Sequence, residues 1–106
     1  MSADPSGTLT TSEPAWLVLI ALADGPKHAR EMSDDITRTS GQTPGPGTLY
    51  AAITALDAAK WIVPVPSADA RRVYQITSTG AAALQEHLRQ QTAALVSVRR
   101  PGLADA

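Results

Sequence analysis

Residues 46–65 read Pro46-Gly47-Thr48-Leu49-Tyr50-Ala51-Ala52-Ile53-Thr54-Ala55-Leu56-Asp57-Ala58-Ala59-Lys60-Trp61-Ile62-Val63-Pro64-Val65, and within them a helical period gives way to a strand-like one. Pro46 suits the first turn of a helix, where its missing N–H has no partner to lose. Leu49, Ile53 and Leu56 follow at steps of four and three, one face of a helix. This third helix is predicted to run to Ala58 or Ala59. From Trp61 the residues are aromatic and β-branched and are bounded by turn formers, as in a short strand, with Pro64 marking an edge position.

Working outward, Pro66-Ser67-Ala68-Asp69-Ala70 is turn chemistry, and Arg72-Val73-Tyr74-Gln75-Ile76 is a second strand, so a β-hairpin follows the helix. Thr77 is placed to cap a last helix from Ser78 to about Arg99. Upstream, Ser12 caps a first helix with Glu13 and Pro14 in its first turn, and Asp24-Gly25-Pro26 ends it. A second helix from about Lys27 to Thr39 carries Ala29, Met32 and Ile36 on one face, and the segment Thr39-Ser40-Gly41-Gln42-Thr43-Pro44-Gly45 is a loop. Three helices, a hairpin and a helix, in that order, make a winged helix-turn-helix. The fold class is mainly α (α+β). Residues 13–76 form a winged-helix domain of the DNA-binding kind with a two-stranded β-hairpin wing, and residues 77–99 a C-terminal dimerisation helix. Residues 1–12 are a flexible N-terminal arm and residues 100–106 a tail.

A chain of 106 residues is one domain. A domain of that size buries only about 60–70% of the surface its unfolded chain exposes, so a second subunit is a natural source of stability. The first helix, apolar all round from Ala15 to Leu22, asks for cover on more than one side, and a partner subunit is the expected second cover. The absence of Cys excludes disulfides and thiolate metal sites and fits a reducing compartment. The longest apolar run, Ala15 to Ala23, is about half a membrane span and follows no basic segment, so neither a membrane anchor nor a secretory signal is read, and the chain is expected in the cytoplasm.

A net charge of −1 counts against nucleic acid, but the charge is unevenly spread. Asp4, Glu13, Asp24, Glu31, Asp34 and Asp35 face only Lys27 and Arg30 in residues 1–35, a net of −4. Residues 36–106 hold seven basic and four acidic residues, a net of +3. The basic excess falls in the half that holds the third helix and the hairpin, and field shape governs steering more than net charge does.

Three stretches resemble the PadR family of bacterial repressors in its short form. Ile20-Ala21-Leu22-Ala23-Asp24-Gly25-Pro26-Lys27-His28-Ala29-Arg30-Glu31-Met32 is similar to the family's L-L-x-x-G-P-x-H-G-Y-E-I. Pro46-Gly47-Thr48-Leu49-Tyr50, with Leu56 and Ile62, is similar to P-G-T-L-Y-x-x-L-x-x-L-E-x-x-G-L-I, and residues Arg71 to Gly80 are similar to R-R-x-Y-x-L-T-x-x-G. The resemblance implies a dimeric winged helix whose third helix enters the major groove, whose wing reaches the DNA backbone or minor groove, and whose last helix dimerises. Short-form members are similar to multidrug- or stress-responsive repressors released by an inducer. The chain departs from the pattern at Ala29-Arg30, at Gly45, and at Lys60, where the family has a helix-ending Gly. A left-handed non-Gly residue costs about 1–2 kcal/mol, so this junction is expected to bend in another way.

The inward stripe of the third helix leaves Thr48, Tyr50, Ala51 and Thr54 outward. Hydroxyls can meet phosphates or base edges, and methyl groups can meet thymine methyls. The same helix has no Arg, Asn or Gln for bidentate base reading, so its sequence discrimination is expected to be modest. The competing reading makes Thr48 a helix-end group and Tyr50 packing. Arg71 and Arg72 on the hairpin are expected phosphate ligands, against a reading as a solvated pair. Ala81, Leu84, Leu88, Gln91, Leu95 and Val98 step by three and four along the last helix, the rhythm of a pairing seam, with Trp16 and Leu19 of the partner's first helix against it. Trp16 is also a candidate platform for a small planar, hydrophobic inducer. His28, Glu31 and Asp35 share a helical face and are weak candidates for a divalent metal. No cofactor is required and no nucleophile–base pair supports an enzyme. The expected function is an inducer- or stress-responsive repressor that binds operator DNA as a homodimer. The alternatives are a metal-responsive regulator and a winged-helix protein-interaction module.

Overall fold

The computed structural model describes residues 12–68 and 71–99, with side chains as far as residue 94. The arm before Ser12, Asp69 and Ala70 of the turn, the side chains of Leu95 and Val98, and the 100–106 tail lie outside the described residues. The elements are α1 (Glu13–Ala23), β1 (Lys27–His28), α2 (Ala29–Ser40), α3 (Pro46–Ala58), β2 (Ile62–Val65), β3 (Val73–Ile76) and α4 (Ser78–Arg99).

The expected caps are present. Ser12 Oγ accepts from Ala15 N at 3.3 Å, and Thr77 Oγ1 accepts from Gly80 N at 3.1 Å. α1 buries Ala15, Val18, Leu19, Ala21 and Leu22. Within one chain it packs against α2, α3, α4 and β3, which leaves Trp16 and Leu17 half-buried and Ile20 exposed. Leu19, expected at the subunit seam, is 0% exposed inside one chain and offers a partner no surface. Burial of a leucine side chain contributes about 1.5–3 kcal/mol, so α1 is the natural centre of the core. Met32 and Ile36 of α2, Leu49, Ala52, Ile53 and Leu56 of α3, and Ile62, Tyr74 and Leu84 complete that core. No polar side chain is buried among the described residues.

The sheet has three strands rather than two, in the order β1-β3-β2, all antiparallel. Lys27 pairs with Tyr74 and His28 with Val73, while Val63 pairs with Gln75 and Pro64 with Tyr74. Pro64 therefore sits on an edge strand, where its missing N–H breaks no ladder. The helix expected from Lys27 starts at Ala29 instead, because His28 is extended (φ −91°, ψ 171°) and acts as its N-cap. At its other end α2 runs on to Ser40, and Gly41 closes it in the left-handed region (φ 77°).

The junction after α3 does not bend in another way. Lys60 takes the left-handed conformation itself, with φ 64°. Lys60 N donates to Asp57 O and Trp61 N to Leu56 O, both at 3.0 Å, which is the Schellman ending with lysine in glycine's place. Thr77 holds the junction from the other side, its hydroxyl donating to Lys60 O at 2.8 Å and its amide to Trp61 O at 2.9 Å. Gly80 then passes so close that a Cβ there would lie 2.2 Å from Trp61 O. Beyond this joint α4 packs on α1. Leu84, also expected at the seam, is only 5% exposed and belongs to the core. His87 stacks on Trp16, with ring centroids 3.9 Å apart. Further along, Leu88 is 44% exposed and Gln91 is exposed.

Two substitutions at this joint are expected to act in opposite directions. Gly80→Ala drives a methyl into a backbone carbonyl and should cost about 3 kcal/mol, the upper end of overpacking. Lys60→Gly removes left-handed strain and should stabilise by about 1 kcal/mol. Urea unfolding of both variants checks this, and equal or reversed signs would contradict the joint described.

Candidate nucleic-acid interface

α3 turns Leu49, Ile53 and Leu56 into the core, which leaves Thr48, Tyr50, Ala51 and Thr54 exposed on one outer face. Tyr50 is 58% exposed, so its ring is not core packing. Beside this face lies a cleft of about 420 Å³ between the start of α2, α3 and the wing, lined by His28, Ala29, Arg30, Tyr50, Arg71, Arg72 and Tyr74. Three arginines and Tyr50 line this one opening, a surface suited to a polyanion, with Arg30 also 4.0 Å from Asp34. Arg71 and Arg72 are brought to α3 as the sequence suggests. Tyr74 is buried by its packing on the core and lends the cleft its floor.

Sequence reasoning does not assign Arg30 and His28 to this face. β1 puts them there, because pairing His28 with Val73 lays the entry of α2 alongside the wing. A strand of two residues shows no period, so its sequence carries no signal of this pairing.

The three metal candidates have other partners. His28 Nδ1 accepts from Glu31 N at 3.3 Å, and Glu31 Oε1 accepts from His28 N at 3.0 Å, a capping box with histidine as the cap. His28 Nε2 lies 2.8 Å from Arg71 Nη1. Asp35 pairs with Lys27 at 3.2 Å and with Arg38. Lys27 also donates to Ala21 O at 2.7 Å, tying α1, β1 and α2 together. Among the described residues no three His, Asp or Glu side chains converge as a metal site. The hydrogen bond from Arg38 and the charge and hydrogen bond of Lys27 hold the Asp35 carboxyl below its usual range, against the opposing effect of burial. Trp16, the candidate inducer platform, has one ring face covered by His87 and lies 5.8 Å from the Trp61 ring.

The sequence matches the model of the transcriptional regulator PadR-like family over residues 18–86, about two thirds of the chain. The chain belongs to this family. A protein of unknown role in a transposon of Streptomyces fradiae is 36% identical over 72 residues, which are 68% of this chain. The chain spans about a fifth of the length of that curated relative, 21%. Among solved structures, a transcriptional regulator from Clostridium thermocellum superposes with a TM-score of 0.71 at 18% identity, covering 93% of this chain and 97% of the other. A PadR family regulator from Clostridium difficile gives 0.68 at 16% identity, covering 88% and 99%. At such identities these two show the shared PadR fold. No helix among the described residues is long and apolar enough to cross a membrane.

A carboxyl with a lowered folded-state pKa stabilises the fold above its unfolded pKa and loses that contribution as pH falls through the folded value. Asp35→Asn is therefore expected to be less stable than the parent by about 1–2 kcal/mol at neutral pH. The two should converge as pH falls below the ordinary value of 3.8. Thermal unfolding across that range checks it; a constant gap between the two proteins would contradict it.

Proposed function

We propose that the chain is a DNA-binding transcriptional repressor that acts as a homodimer on a near-palindromic operator and is released by a small hydrophobic inducer. The observation that carries the reading is the convergence of Arg30, Arg71 and Arg72 with Tyr50 beside the exposed face of α3. In a chain of net charge −1, three arginines lining one cleft are charge placed, not charge left over. In this reading α3 enters the major groove. Thr48, Thr54 and Ala51 meet base edges and thymine methyls, and the arginines hold the flanking phosphates. Dimerisation uses what α1 and α4 leave outside: Ile20 at 38% exposed, half-buried Trp16, Leu88 and Gln91. Two copies of α3 one helical turn, roughly 34 Å, apart then ask for an operator with two-fold symmetry.

Arg71→Ala with Arg72→Ala should weaken binding to every duplex and shallow the salt slope by about 2, one for each phosphate left without its arginine. Tyr50→Ala should cost more affinity on operator than on random DNA. Fluorescence anisotropy across a salt series reads both. A parent protein with no duplex binding at low salt would favour a protein-interaction module, and a loss confined to one sequence would make the wing a base reader.

A further inference from the structure

His28 has a donor against each of its two ring nitrogens. Glu31 N points at Nδ1 from 3.3 Å, and Arg71 Nη1 lies 2.8 Å from Nε2. A guanidinium and a backbone N–H are both donors only, while a neutral imidazole has one acceptor nitrogen and one N–H. The ring therefore satisfies one of them at a time. As the Nδ1–H tautomer it holds Arg71 and gives up the cap of α2. As the Nε2–H tautomer it caps α2 and turns a proton toward Arg71, with Glu31 Oε1 3.5 Å from Nε2 to receive it. An imidazolium would serve neither donor. The groups around this choice are Glu31 on α2, Arg30 beside it, and Arg71 and Arg72 on the wing, at the mouth of the cleft that also holds Tyr50.

We propose that His28 is a positioning residue that couples phosphate binding at the wing to the capping of α2. A DNA phosphate entering the cleft takes over Arg71. The ring, relieved of the guanidinium, settles as the Nε2–H tautomer and completes the capping box. Phosphate at the wing thereby firms the first turn of the helix that leads into α3. The inference rests on the DNA-binding reading and adds to it the route by which wing and helix-turn-helix respond to each other.

The test is nitrogen NMR of the His28 ring, with amide hydrogen exchange at Glu31, in the parent protein, Arg71→Ala and His28→Asn. In free Arg71→Ala the two ring nitrogens should move from averaged positions to the separate shifts of the Nε2–H tautomer. Exchange at Glu31 should slow about fivefold as the cap becomes permanent. A random-sequence duplex at low salt should produce the same two changes in the parent. His28→Asn caps α2 with its amide oxygen and has no tautomer to change, so its Glu31 exchange should not respond to duplex. If Arg71→Ala leaves ring and amide unmoved, the coupling is absent and the proposal falls whatever DNA does. If the parent binds duplex while the His28 signals stay put, the proposal falls and the DNA reading stands. A parent that binds no duplex overturns both.

Discussion

The arrangement of this molecule depends on one crowded joint, where α3 ends, the wing begins and α4 departs. Lys60 reverses the chain in a left-handed conformation that costs about 1–2 kcal/mol for a side-chain-bearing residue. The cost is offset because the same few residues close several hydrogen bonds: the two Schellman bonds at the end of α3 and the hydroxyl and amide of Thr77. Gly80 lets α4 pass against the Trp61 carbonyl at a distance no side chain tolerates. Fixing this joint fixes the angle of β2 to α3, and with it the place of Arg71 and Arg72 beside the exposed face of the helix.

Much of this was legible in the chain. The spacing of Leu49, Ile53 and Leu56 located α3 and its outer face, and the caps at Ser12 and Thr77 located two helix starts, because these signals are local and carry several residues each. What stayed hidden was tertiary. Lys60 resembles no helix terminator, and the bonds from Thr77, seventeen residues on, that help hold its conformation are not local. β1 is too short to show alternation. Leu19 looked like a seam residue because its helix is apolar all round, and Leu84 because it falls in the three-and-four rhythm of α4, yet both are buried within one chain. Of the α4 positions expected at the seam and described with side chains, Leu88 and Gln91 remain on the surface.

The candidate site shows the same division. Half-chain charge pointed to the C-terminal part and found Arg71 and Arg72, but it assigned Arg30 to the acidic half. The structure reverses that assignment through β1, which carries the start of α2 across to the wing. The acids of residues 1–35 are drawn into other work: Asp35 holds Lys27 and Arg38, and Glu31 closes the capping box with His28. Asp34 lies 4.0 Å from Arg30, so the positive character of the cleft rests chiefly on Arg71 and Arg72 in a chain that is slightly acidic as a whole. Net charge is a poor guide here because the field at a cleft is set by its nearest groups, and exposed charges more than about 8–10 Å away are screened.

Whether this face of α3 and the cleft beside it receive DNA decides the proposed function. Amide chemical-shift mapping during titration with a short random-sequence duplex at low salt addresses that directly. The account predicts shifts concentrated at Thr48, Tyr50, Ala51 and Thr54, at Arg30 and at Arg71 and Arg72, with the α4 surface around Leu88 unmoved. Shifts centred on Leu88 and Gln91, or none at all, would contradict it.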